Sequence, residues 1–176
     1  MCIRDRSKTD STRFLLKCSL AEAYRSNNPD TALLLANEAL TGSQKINFKK
    51  GEVRALNALC VLQREKGELA NALQLGLRAF KIAEDQNYLY EEIYSLIRVA
   101  NVYLHVGNVA KAIYYLNKSD ALLKNNYNDF QWNVTQYFLG EALIQSGKLD
   151  DAERRVNMLE EKKLPETIWV LSLIHI

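Results

Sequence analysis

The sequence is short of the residues that carry chemistry. It holds two histidines, His105 and His175, and neither is joined by a second histidine at metal-ligand spacing. The three cysteines, Cys2, Cys18 and Cys60, form no C-x-x-C pair and are odd in number. That argues against a disulfide framework and for a reducing compartment, so a cytoplasmic location is expected. Cys18 and Cys60 stand among apolar residues, where a free thiol behaves as a small hydrophobe. There is no G-x-S-x-G, no Walker A and no G-x-G-x-x-G, so the common nucleophile and phosphate-cradle motifs are missing. No apolar run approaches the roughly 18–20 residues that span a bilayer. The opening Met1-Cys2-Ile3-Arg4-Asp5-Arg6 also lacks the apolar stretch of a signal peptide. Charge is balanced, with 23 Lys and Arg against 21 Asp and Glu and no block of five like signs. Neither nucleic acid nor a membrane is therefore an expected partner.

What is present is ordinary globular material arranged in a repeat. The chain is 48% apolar and 25% charged, with only seven Gly and two Pro, enough apolar side chain to bury a core. Ala32, Ala72, Ala112 and Ala152 fall at equal steps of 40 residues. Five residues before each stands Asn27, Gly67, Gly107 or Gly147, and four after each Ala36, Gly76, Leu116 or Val156. Loop residues recur as well: Asn47-Phe48 is matched by Asn87-Tyr88, and Tyr127-Asn128 fills the same columns in swapped order. Self-similarity at such a period marks an array of supersecondary units.

Each unit reads as two helices. Leu96, Val99, Ala100 and Tyr103 follow i, i+3, i+4, i+7 spacing, one helical face. Gly107-Asn108 supplies a turn, and Val109, Ala112, Ile113 and Leu116 line the next helix. The fourth unit repeats this with Leu139, Gly140, Leu143, Gly147, Leu149, Ala152 and Val156. In the first unit Asn28 suits an N-cap and Pro29 the first helical position, and its first helix sits one residue nearer the turn. Small residues, Ala100 or Gly140 against Ala112 or Ala152, let the paired helices approach closely.

These residues carry a resemblance to the tetratricopeptide repeat (TPR) family. Val99-Ala100-x-x-Tyr103 through Ala112 and Leu116 matches its signature, as does Leu139-Gly140 through Ala152 and Val156. The period departs from the standard of about 34 residues, the consensus Trp is missing, and the Pro that ends the second helix is absent unless Pro165 serves. Long-period arrays of this kind resemble those of kinesin light chains and of bacterial regulators and sensor kinases. Asn28-Pro29-Asp30-Thr31-Ala32-Leu33 with Asn37-Glu38-Ala39-Leu40 is similar to repeats ahead of bacterial histidine kinase and transcription-factor domains.

The resemblance implies an all-α, right-handed α-solenoid of antiparallel helix pairs. About four repeats are expected, over 11–50, 51–90, 91–130 and 131–164, with a truncated fifth from 165. The array is expected to occupy residues 7–170; residues 1–6 and 171–176 resemble translated adapter or cloning read-through. It further implies a module that holds a protein or peptide, without catalysis and without a cofactor. The alternative is a regulatory input domain of a larger bacterial signalling protein, its partner being a downstream domain of the same polypeptide.

In such arrays the first helix of each pair lines the concave face. The expected lining is Arg54, Asn57, Val61, Arg64 and Glu65, then Tyr94, Ile97, Asn101, Leu104 and His105, then Val134, Tyr137, Glu141, Ile144 and Gln145. That mixture suits a helix or extended peptide. Lys17 fills one column of the family's carboxylate clamp but Ala21 stands in the Asn column, so a chaperone-tail clamp is not expected. The acidic pairs Glu91-Glu92, Asp150-Asp151 and Glu160-Glu161 read as solvated helix ends rather than acid/base pairs. Asn133-Val134-Thr135 is formally a glycosylation acceptor but falls inside an expected helix.

Overall fold

A computed structural model describes residues 3–161, and their side chains from 9 to 160. The expected fifth unit from Pro165, the segment 171–176, Cys2 and His175 lie outside the described residues. All regular structure among these residues is helical. The order is α1 (Ile3–Tyr24), α2 (Pro29–Lys45), α3 (Lys49–Glu65), α4 (Leu69–Asp85), α5 (Leu89–Val106), α6 (Val109–Asn125), α7 (Asp129–Gln145) and α8 (Leu149–Glu161). The short connections leave each helix no choice but to fold back on the one before it.

The turns follow from single residues. Gly67, Gly107 and Gly147 sit at φ +82, +79 and +75, a region that side chains with a Cβ enter only with strain. Each closes its helix with a paired cap: Gly67 N donates to Arg64 O at 2.9 Å and Glu68 N to Gln63 O at 2.9 Å. Between pairs, Asn47 and Asn87 take the left-handed conformation at φ 53 and 55. Phe48 N and Tyr88 N then reach back to Ser43 O and Ala83 O. The swapped Tyr127-Asn128 makes a different turn. There Asn128 is the N-cap of α7, its side chain accepting from Gln131 N at 3.0 Å. Asn28 and Asn108 cap α2 and α6 the same way.

Contacts divide the chain into two compact units, the first ending at Arg98 and the second beginning at Val99, within α5. In the first unit α2 packs between α1 and α3, α3 packs on α4, and α1 also touches α3. Fully buried Ala32 and Ala36 of α2 meet Ala21 of α1 and Ala58, Leu59 and Leu62 of α3. Phe14, Cys18, Ala39 and Ala55 form a second cluster, and Val53 and Leu56 pack on Ala79 and Ala83 of α4. In the second unit α7 packs on α6 and α8. Its core includes Val99, Val102, Ala112, Leu116, Leu123, Leu139, Ala142 and Ala152.

The second unit mixes polar groups into this core. Gln131, Asn133, Thr135 and Gln136 of α7 are all 1% exposed or less. Ser119 and Thr135 share a hydrogen bond of 2.9 Å, and Gln136 Nε2 donates to Asp120 at 2.7 Å. Arg155 of α8 donates to Gln136 Oε1 at 2.5 Å, so α6, α7 and α8 are strung on one polar chain. Gly140 does not require its smallness. A Cβ there would meet only the Arg155 Cβ, at 3.9 Å, so alanine would serve the crossing as well.

Candidate peptide-binding surface

In the first unit the first-of-pair helices α1, α3 and the leading part of α5 are tied together by charged and polar side chains. Lys50 Nζ and Arg54 Nε both reach Glu91 Oε1, at 3.3 and 3.4 Å. Glu91 is 4% exposed at its side chain, whereas Lys50 and Arg54 are 43% and 38% exposed, so the carboxylate is recessed and the cations face outward. One turn along, buried Asn57 donates to Ser95 Oγ at 2.9 Å, and Ser95 donates to the Glu91 carbonyl at 2.8 Å.

Nearer the C-terminal ends of α1 and α3, Arg25 Nε and Arg64 Nη2 both approach Glu65 Oε1 at 3.2 Å. Arg98 donates to the Tyr94 hydroxyl and lies over the Tyr94 ring, 4.4 Å from its centroid. The Tyr94 hydroxyl in turn donates to Glu22 Oε1 at 3.2 Å. Burial holds the Arg64 guanidinium below the ordinary arginine range; Glu65 opposes this, and Arg98 and Arg25 add to it. Burial likewise pushes the Tyr94 phenol up, against the pull of Arg98. The Arg98 Nε is buried without a hydrogen-bond partner. Beneath this cluster Cys60 is pushed up to about 11 by burial, and Cys18 to about 12, which makes both thiols structural rather than nucleophilic.

The expected lining residues sort by depth. Asn57, Val61, Ile97, Asn101 and Leu104 are buried and serve the packing between helices. Arg54, Arg64, Tyr94, Val134, Tyr137 and Glu141 are half-buried, and Glu65, His105, Ile144 and Gln145 are exposed. In the second unit Tyr137 sits edge-on to Phe138, with ring centroids 5.2 Å apart. Its phenol is pushed up by burial and, after that, by Glu141. His105, the one histidine among the described residues, has Nδ1 3.0 Å from the Asn101 carbonyl oxygen one helical turn back. Among the described residues no three His, Cys, Asp or Glu side chains are placed to hold a metal. None of the described helices is long and apolar enough to cross a membrane.

Sequence reasoning missed Arg25, Lys50 and Arg98, and it read Glu91 as part of a solvated helix end, whereas the Glu91 side chain is 4% exposed because Lys50 and Arg54 of α3 pair with it. Arg25 was within reach, because it takes the column of Arg64 once the one-residue offset of the first unit is applied. Lys50 and Glu91 stand at the openings of α3 and α5, ahead of the periodic columns, and only side-chain contacts between α3 and the leading part of α5 join them.

No family model matches this chain, and no curated protein matches it. Among solved structures it is similar to nearly identical TPR-like repeats described as those of a kinesin light chain of Podosopora anserina. The TM-score is 0.71 at 16% identity, over 91% of this chain and 82% of that one. At that identity the likeness is one of fold. The chain therefore has the all-α, helix-pair architecture of a TPR-like α-solenoid.

Proposed function

We propose that the chain is an interaction module that holds a peptide or helix of another protein on the first-helix face of its units. The observation that supports this most is the Lys50–Arg54–Glu91 group. It leaves two partly exposed cations on a helical face, near half-buried Tyr94 and with half-buried Arg64 further along α3. A surface of fixed helices with mixed aromatic, aliphatic and charged side chains suits a bound helix or strand. The test is selection of peptides from a random display library on the immobilised chain. Selected peptides are then titrated against the wild type and the double variant Arg54→Glu, Arg64→Glu. The reading expects a loss of affinity of about tenfold or more. Unchanged affinity would remove the first unit's face as the site.

A second reading, a regulatory input domain of a bacterial signalling protein, is supported by the likeness of Asn28–Leu33 to repeats preceding such domains. The genomic reading frame decides it: a kinase or DNA-binding domain encoded downstream supports this reading, and its absence removes it.

A further inference from the structure

We infer that the partner held by the first unit is an acidic peptide, whose carboxylate docks on Arg54 and Lys50. This rests on the binding face proposed above and gives its ligand a chemistry. The inference comes from what the recessed Glu91 leaves over. Its Oε1 takes both Lys50 Nζ and Arg54 Nε, so one negative charge is shared by two positive ones. Arg54 engages that oxygen through Nε, and both its Nη groups lack a protein partner among the described residues. Those two N–H-bearing nitrogens form the planar fork that a second carboxylate grips through two parallel hydrogen bonds. Lys50, 43% exposed, adds a point charge beside it.

The surroundings bias the face the same way. The first-helix groups of this unit already described comprise five cations, Arg25, Lys50, Arg54, Arg64 and Arg98, against three carboxylates, Glu22, Glu65 and Glu91. The cations are interleaved with carboxylates and recessed helix faces. They do not form the continuous basic stripe that tracks a phosphate backbone. A short acidic peptide fits this pattern, with single carboxylates meeting the fork while its intervening side chains lie on Tyr94 and its neighbours. The site differs from the family's C-terminal carboxylate clamp, whose Asn column holds Ala21 here.

The experiment uses four fluorescein-labelled probes of about twelve units each: a peptide of alternating Glu and Ala, its Gln counterpart, its Lys counterpart, and a single-stranded DNA of equal charge. Anisotropy titrations of the whole chain are run at about 50 and 300 mM NaCl. The Glu peptide is expected to bind at least roughly tenfold more tightly than the Gln peptide and to weaken with salt. Arg54→Gln and Lys50→Gln should each remove most of that preference, with unchanged circular dichroism and melting temperature. Lys81→Gln, on α4, should leave it intact.

Equal binding of the Gln and Glu peptides, both weakened by Arg54→Gln, would overturn the acidic preference while leaving the face as the binding site. A Glu preference untouched by Arg54→Gln and Lys50→Gln would overturn the assignment to these residues. DNA binding as tightly as the Glu peptide would overturn the peptide reading, and binding by none of the four would overturn the inference outright.

Discussion

At the scale of single residues, the structure separates positions that look alike in sequence. Asn133 occupies the column of Val53 and Ile93, and like them it is buried. Both polar atoms of its side chain lack a hydrogen-bond partner. A buried amide left unpaired costs about 1–3 kcal/mol. Asn133→Ile should therefore stabilise the chain by about 1–2 kcal/mol, read as a higher denaturant midpoint at unchanged slope. The same burial, 1% exposed, keeps this formal glycosylation site out of reach in the folded chain. Two helical glycines give opposite predictions. At Gly140 a Cβ has room, and Gly140→Ala should stabilise by about 0.5–1 kcal/mol through helix propensity alone. At Gly42 a Cβ would overlap the ring of Phe14, itself held in a buried cluster with Cys18, Ala39 and Ala55. Overpacking of about 1–3 kcal/mol then exceeds that propensity gain, and Gly42→Ala should lower the thermal midpoint.

At the scale of elements, the helices and their turns were legible because each is fixed locally. Gly67, Gly107 and Gly147 announce positive φ, and Asn28-Pro29 announces a capped start. What lay hidden were the polar links between helices, since the partners sit far apart in the chain. Glu52 is the clearest case. Its side chain is 5% exposed and joins α3 to α2 through Gln44 at 3.1 Å and to α4 through Arg78 at 2.5 Å, with Lys49 at 3.1 Å. Burial acts to raise the Glu52 pKa, but the Gln44, Lys49 and Arg78 hydrogen bonds outweigh it and hold the group below its usual 4.5. The native state thus favours the ionised form. The stability this contributes is complete above about pH 4.5 and lost as pH falls below it. Glu52→Gln should cost about 1–3 kcal/mol at neutral pH, and the difference between variant and wild type should shrink in acid. A constant difference from pH 7 down to about 3 would show that charge at Glu52 does not matter.

At the scale of the whole molecule, the all-α class and the pairing of helices could be read from periodicity, and the fold agrees with a solved TPR-like array. The binding surface was legible only in part. Periodicity picks out which residues of a first helix face one way, but it does not say how deeply a neighbouring helix covers them. So Asn57, Val61, Ile97, Asn101 and Leu104 fell in lining columns and are buried, while Lys50 fell outside those columns and is 43% exposed, anchored on the buried Glu91. The central claim is that this chain holds a peptide on its first helices. Amide chemical-shift mapping of the isotope-labelled chain with a library-selected peptide tests it most directly. The account predicts that the largest shifts in the first unit fall on α3 and the start of α5, at Lys50, Arg54, Glu91 and Tyr94. Shifts confined to the second helices, α2, α4 and α6, would contradict it.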